Sequence, residues 1–136
     1  MRQVAAAAVV RDGRVLAARR VGPPAVAGLW EFPGGKVELG ETARAAAQRE
    51  LQEELRLQVE VHAELRPEVG TWWQINPGLR LRLYWATTSG EPDPTGSHDE
   101  IRWLAVDELH EVEWLPADHV IIEQIQRTGL PESGRD

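Results

Sequence analysis

The sequence predicts an α/β fold in which two helices cover a mixed sheet. A long helical stretch lies between segments with strand periodicity, and a second helical pattern closes the chain. No linker or internal repeat divides the 136 residues, a length at which one domain can bury a substantial core. We therefore expect a single domain over residues 1–128 and a flexible tail over residues 129–136.

The N-terminal segments predict a hairpin. Two apolar runs, Val4–Val10 and Val15–Ala18, flank Asp12 and Gly13, and Asp-Gly is among the strongest turn signals between strands. A loop follows that its prolines keep out of any helix. A short strand, Trp30–Phe32, then leads into a Pro-Gly-Gly turn.

The remaining elements follow from composition and periodicity. Residues 43–55 are rich in helix formers and contain no Pro or Gly, and residues 57–65 alternate as a half-buried strand does. Further predicted elements are strands over residues 71–76, 79–87 and 101–106, and a helical turn over residues 107–110. A last helix is predicted to start after Pro116 and to run to about Thr128, with Val120, Ile121 and Ile125 at helical spacing.

The charge balance limits the possible partners. With 15 Lys and Arg against 22 Asp and Glu, the net charge of −7 argues against duplex nucleic acid or an anionic membrane. A nucleotide stays compatible, because metal ions and a few local arginines can hold its phosphates. The absence of cysteine excludes disulfides and thiolate zinc sites. Because no segment resembles a signal peptide or reaches transmembrane length, we expect a cytoplasmic protein.

The predicted central helix carries an acidic cluster. Glu50, Glu53 and Glu54 lie at i, i+3 and i+4, so their carboxylates share one face. Each pair repels by about 0.8 kcal/mol in water and by about 3 kcal/mol at an effective dielectric of 20. All-oxygen ligands favour a hard cation, so Mg²⁺, or else Mn²⁺, beside a phosphate substrate is the predicted pairing. A solvated acidic stripe is the alternative that the spacing alone leaves open.

The residues around this cluster form a longer motif. It reads Gly, five residues, Glu, seven residues, then Arg-Glu-apolar-any-Glu-Glu, and on it the chain resembles a Nudix hydrolase. One position departs from the family pattern. The pattern has a Gly near its end, just past the helix, and this chain has Arg56 there. Gly is favoured at such a position because it readily adopts a positive φ. The matching residues are Gly35, Glu41, Arg49, Glu50, Leu51, Glu53, Glu54 and Leu57.

The resemblance implies an α/β/α sandwich and a metal site. Glu50, Glu53, Glu54 and the Gly34 carbonyl would ligate one to three divalent cations. Such ions neutralise phosphates and acidify an attacking water. Either Glu50 or Glu53 would take the proton of that water.

Three further motif residues have supporting roles in this interpretation. Arg49 would fix the direction of a carboxylate through a forked hydrogen bond, with an ordinary surface ion pair as the alternative. Glu41 precedes the helix, where the helix dipole favours a carboxylate, and we expect it to be structural, as we do Gly35.

Outside the motif, the resemblance narrows to the MutT and CTP pyrophosphohydrolase branch. Arg20 would face the substrate, with a surface ion pair as the alternative. Asp118 would meet the nucleobase, with helix N-capping as the alternative. The base could stack on Phe32, Trp72, Trp73 or Trp85. The segments that carry this resemblance are residues 17–20, 28–36, 103–104 and 114–118.

The hydrogen-bonding groups of the side chain at position 118 limit which nucleobase it can bind. An ionised Asp only accepts hydrogen bonds, which suits an exocyclic amine such as N4 of cytosine. It could also face N7–H of 8-oxoguanine, but the adjacent O6 would oppose it unless burial kept Asp118 protonated. The candidate substrates are therefore (d)CTP, 5-methyl-dCTP and 8-oxo-dGTP.

A second departure concerns a metal ligand. Members of this branch often carry an acidic ligand six residues before the tryptophan matched by Trp103, and that position is Ser97 here. His98, Asp99 or Glu100 could substitute for it, or the ligand is absent.

The sequence thus predicts a Mg²⁺-dependent nucleoside triphosphate pyrophosphohydrolase that releases a nucleoside monophosphate and pyrophosphate. The alternatives are a Nudix hydrolase of another nucleoside diphosphate derivative, such as ADP-ribose, and a non-catalytic nucleotide sensor. Both a monomer and a homodimer are compatible with the sequence.

Overall fold

The computed structural model describes residues 2–131, so most of the predicted tail over residues 129–136 lies outside the described residues. Two short 3₁₀ helices, Val106–Glu111 and Pro116–Asp118, accompany the regular elements. Those elements are β1 (Arg2–Arg11), β2 (Arg14–Arg20), β3 (Trp30–Glu31), β4 (Gly34–Lys36), α1 (Ala43–Leu55), β5 (Glu60–Leu65), β6 (Trp73–Asn76), β7 (Leu79–Thr87), β8 (His98–Leu104) and α2 (His119–Thr128).

Strand β1 is the centre of the mixed sheet. It pairs in parallel with β7 along most of its length and antiparallel with β4 at its N-terminal half. Its C-terminal end pairs with β2, which in turn pairs with β3 and β8. Strands β5 and β6 both pair with β7. The predicted α/β class with a mixed sheet is confirmed.

The first hairpin forms where the sequence predicts it. Asp12 and Gly13 adopt φ values of 53° and 75°, so both central turn residues have the positive φ that tight hairpins of matching twist require.

Helix α1 packs on one face of the sheet through small side chains. Thr42 caps its start by accepting the Ala45 N–H at 3.1 Å. The buried residues on α1 are Ala46, Ala47, Leu51 and Leu55, and they meet Ala5, Ala7 and Val9 of β1. Because β1 presents alanines here, the helix approaches the strand closely.

At the C-terminal end of α1, Arg56 occupies the position where the family motif has a glycine. Arg56 adopts the left-handed conformation, with φ 51° and ψ 36°, and its N–H bonds the Gln52 carbonyl. A non-glycine residue pays roughly 1–2 kcal/mol for this conformation. The helix therefore keeps the exit geometry of the motif at a cost in stability.

Helix α2 covers the other face of the sheet. Ile121, Ile122 and Ile125 join the larger apolar core, whereas Val120 is 53% exposed. Of the three apolar residues at helical spacing, Val120 therefore lies outside the buried face. Helix α2 begins at His119, directly after the 3₁₀ turn Pro116–Asp118.

Several predicted strand limits also need correction. Strand β8 begins at His98 rather than residue 101, because its first residues pair with Arg19 and Arg20 of β2 despite lacking apolar alternation. Strand β5 begins at Glu60, because Leu57 and Val59 pack beneath α1 before the strand starts. Strand β6 begins at Trp73 rather than residue 71. Within residues 2–131, neither α1 nor α2 is long and apolar enough to cross a membrane.

Candidate active site

The acidic cluster of α1 lies directly against strand β4. A Cβ atom added to Gly35 would come 2.3 Å from the Glu50 carboxyl carbon. At Gly34, an added Cβ would come 2.3 Å from the Ala5 carbonyl oxygen on β1. Gly34 is therefore required by its close approach to the backbone of the central strand, whereas a side chain at Gly35 would displace the carboxylate of Glu50.

Arg49 ties three carboxylates together. Its Nε and Nη2 donate to the two Glu41 carboxylate oxygens at 2.8 and 3.0 Å. Its Nη1 donates to Glu50 at 2.9 Å and to Glu53 at 3.0 Å. The forked bond lowers the pKa of Glu41 to about 2, with the Glu38 backbone N–H as a second cause. Arg49, on α1, thus fixes the directions of Glu50 and Glu53 and is itself held by Glu41, which precedes the helix.

The three clustered glutamates have different surroundings. The side chain of Glu53 is 55% exposed, whereas those of Glu50 and Glu54 are 16% and 14% exposed. Burial, followed by the negative charges of Glu31 and Glu50, raises the pKa of Glu54 to about 8. The Glu54 Oε1 atom is buried and has no hydrogen-bond partner within residues 2–131.

This environment fits a divalent cation. A bound cation would supply the positive charge that the buried Glu54 lacks, and the carboxylate oxygens are ligands that Mg²⁺ and Mn²⁺ accept. Among residues 2–131, no three His, Asp or Glu side chains form a ready-made metal cluster. Because Arg49 holds Glu50 and Glu53, those carboxylates would reorient around the ion.

Glu31 is a site residue that the sequence analysis missed. Arg20 donates to both Glu31 carboxylate oxygens, at 3.1 and 3.0 Å, so its guanidinium forms an ion pair with a residue of the site. The second Glu31 oxygen lies 2.9 Å from Nε2 of His98. The alternation of a strand could have indicated this role. Glu31 stands between the buried residues Trp30 and Phe32, so its side chain points to the opposite face.

The three residues considered as the metal ligand in place of Ser97 have different surroundings. The His98 side chain is fully buried, and its Nδ1 lies 3.8 Å from Glu54 Oε1. Asp99 and Glu100 instead pair with Arg19 at 2.8 and 3.3 Å on an exposed face. Of the three, only His98 is therefore placed next to the acidic cluster.

A small apolar cavity adjoins the cluster and contains the predicted base-binding residues. Its volume is about 70 Å³, below the roughly 300–1,000 Å³ of typical ligand clefts, so its walls would have to part around a base. Phe32 is buried and packs on Trp114 with ring centroids 5.1 Å apart. The cavity is lined by Val4, Ala6, Glu31, Phe32, Gly34, Ile75, Leu81, Leu115, Ala117 and Asp118.

Asp118 is an acidic residue that lines this cavity together with Glu31. It is 7% exposed, and among the described residues its side chain makes no helix-capping hydrogen bond, which argues against the capping alternative. Burial, followed by the charge of Glu31, raises the pKa of Asp118 to about 8, against the effect of the Phe32 backbone N–H. Asp118 is therefore largely protonated at neutral pH.

The tryptophans considered for stacking lie elsewhere. Trp73 and Trp85 are buried in the core, and Trp73 donates its indole N–H to the Leu65 carbonyl. Trp72 lies against Arg80 and Arg82, with guanidinium-to-ring distances of 3.7 and 4.3 Å. These arginines alternate along β7 with Leu81, which lines the cavity, so Trp72 lies on the opposite face of the sheet.

Comparison with known proteins identifies related sequences and folds. The NUDIX domain model matches residues 1–125. A Mycobacterium tuberculosis protein named "Putative 8-oxo-dGTP diphosphatase 2" is 45% identical over 92% of this chain and 88% of its own. The CTP pyrophosphohydrolase of Escherichia coli is 35% identical over 90% of each chain. The crystal structure of a MutT NUDIX hydrolase from Burkholderia pseudomallei is 30% identical, covers 91% of this chain and 97% of that one, and has a TM-score of 0.69.

Proposed function

Because the chain belongs to the Nudix family of hydrolases, we propose that it is a Mg²⁺-dependent nucleoside triphosphate pyrophosphohydrolase with 8-oxo-dGTP as its preferred substrate. It would release 8-oxo-dGMP and pyrophosphate, and so remove an oxidised nucleotide from the cytoplasmic pool. The observation that carries the choice of base is the buried Asp118 in the apolar cavity beside the acidic cluster.

The base assignment follows from the protonation of Asp118. A protonated carboxyl offers one O–H donor and one carbonyl acceptor. These match the O6 acceptor and the N7–H donor of 8-oxoguanine, whereas unmodified guanine carries an unprotonated N7 acceptor. Phe32 would form a flat apolar wall for the base.

The acidic cluster would carry the reaction. Glu50, Glu53 and Glu54, with the Gly34 carbonyl, would hold the divalent ion, which when bound neutralises phosphate charge and acidifies an attacking water. Arg49 would keep Glu50 and Glu53 in position through its hydrogen bonds. Glu50 or Glu53 would accept the proton of the water, with Glu53 the more accessible to solvent.

CTP is the second candidate substrate, because one relative carries the name CTP pyrophosphohydrolase. An ionised Asp118 would favour it by accepting from the N4 amine of cytosine. The two candidates predict opposite effects of pH, since raising the pH ionises Asp118. Between pH 6.5 and 9, kcat/KM for 8-oxo-dGTP relative to that for CTP should fall.

The test is hydrolysis of a nucleotide panel with Mg²⁺, followed as release of the nucleoside monophosphate from each compound and of pyrophosphate from the triphosphates. The panel contains 8-oxo-dGTP, dGTP, CTP, dCTP, 5-methyl-dCTP and ADP-ribose, and Glu54→Gln serves as the inactive control. We expect 8-oxo-dGTP to give the highest kcat/KM and Glu54→Gln to abolish most turnover. Preference for a cytosine nucleotide would refute the base assignment. No cleavage of any triphosphate, with nucleotide binding retained, would make the protein a sensor instead.

A further inference from the structure

Two buried polar atoms face each other at the active site, and neither has a hydrogen-bond partner in the part of the chain that the structure describes. They are Oε1 of Glu54 and Nδ1 of His98, and they lie 3.8 Å apart. This separation is too long for a hydrogen bond between them. Buried polar side-chain atoms nearly always have a partner, because an unsatisfied one loses its hydrogen bonds to water without replacement. The gap between these atoms is therefore suited to a third group that contacts both.

The orientation of the His98 ring indicates the nature of this group. Its Nε2 lies 2.9 Å from a Glu31 oxygen, and a carboxylate only accepts, so Nε2 carries the proton. Glu31 is itself fixed by its two hydrogen bonds from Arg20. In the neutral ring, Nδ1 then presents a free lone pair towards Glu54. Metal-ligating histidines nearly always donate their other ring N–H to a carboxylate, a backbone carbonyl or a water, and His98 has this arrangement.

The other polar residues at the start of β8 do not compete for this position. Asp99 and Glu100 are exposed and bound to Arg19, and Ser97 is exposed. The fully buried His98 is thus the residue of this segment whose unpartnered atom points into the acidic cluster.

We propose that His98 Nδ1 and Glu54 Oε1 together ligate one divalent cation, so that the metal site contains a nitrogen ligand in addition to its carboxylates. The inference deepens the proposed function, on which it rests for the presence of a metal. Arg20 and Glu31 are then positioning residues that fix the ring of His98. A nitrogen donor shifts metal preference from Mg²⁺ towards transition ions such as Mn²⁺.

Pulsed EPR of Mn²⁺ bound to the full-length protein tests this directly, without nucleotide. The wild type should show the modulation of a directly coordinated ¹⁴N nucleus, and protein grown with ¹⁵N-histidine should show ¹⁵N instead. His98→Gln should lose the nitrogen signal and bind Mn²⁺ at least 10-fold more weakly. His110→Gln, at an exposed position on the 3₁₀ helix, is the matched control and should keep both.

The wild-type spectrum decides the question even if a variant fails to fold. Bound Mn²⁺ without histidine-nitrogen coupling would overturn the proposal and leave a water as the bridging group. Absence of Mn²⁺ binding would overturn it as well. Pyrophosphate release from 8-oxo-dGTP, measured on the same preparation, tests the proposed function separately. Turnover without nitrogen coupling defeats only this inference, and nitrogen coupling without turnover defeats only the proposed function.

Discussion

Replacing Asp118 by Asn should remove a pH-dependent loss of stability. The folded-state pKa of Asp118 is about 8, above its ordinary value of 3.8, so the folded state holds a proton that the unfolded state releases. The stability tied to this proton is complete below about pH 4 and is lost as the pH rises to about 8. At about 1.4 kcal/mol per pH unit, the wild type should lose about 4 kcal/mol relative to Asp118→Asn between pH 4 and pH 7.

Urea unfolding of both proteins across this range measures the difference. The fluorescence of the six tryptophans reports unfolding, and every titrating group other than Asp118 is common to the two proteins. The free energy of unfolding of Asp118→Asn minus that of the wild type should therefore rise with pH. A constant difference would refute the assignment of a buried, protonated carboxyl, and with it the reason for preferring 8-oxoguanine.

Three further substitutions test the site and its supporting helix. Gly35→Ala would place a methyl group 2.3 Å from the Glu50 carboxyl carbon, so Mg²⁺ binding by calorimetry should weaken about 10- to 100-fold; unchanged binding would contradict the close packing. Arg49→Lys keeps the positive charge but cannot form the forked hydrogen bond, so kcat should fall about 10- to 100-fold. The control Arg44→Lys should keep full activity, and equal rates in both variants would contradict the orienting role of Arg49. Arg56→Gly relieves the left-handed strain and should raise the free energy of unfolding by about 0.5–1 kcal/mol, and a decrease in the urea midpoint would argue against strain at this position.

Local signals explain what the sequence predicted well. The Asp12-Gly13 turn, the uninterrupted helix formers of residues 43–55 and the spacing of Glu50, Glu53 and Glu54 each depend on neighbours within a few positions. The hairpin, helix α1 and the acidic cluster accordingly stand where the sequence placed them. The roles assigned to the individual cluster residues stay predictions.

Long-range pairing explains what the sequence could not provide. Glu31 meets Arg20 because β3 pairs with β2, and His98 meets Glu31 because β8 pairs with the other edge of β2. Neither register is encoded by local periodicity, so Glu31 was missed and His98 remained one of three candidates. The pKa of Asp118 depends likewise on burial among residues distant in sequence, which composition and spacing do not reveal.

The carboxylate of Glu31 acts on both the acidic cluster and the cavity that contains Asp118. Its negative charge raises the pKa of Glu54 in the acidic cluster and also that of Asp118 in the cavity. Any mutation that altered this charge to change the choice of base would at the same time change how strongly the cluster attracts a cation. Divergence towards new nucleotides on this scaffold would therefore require paired substitutions, with position 31 as the residue through which one adaptation constrains the other.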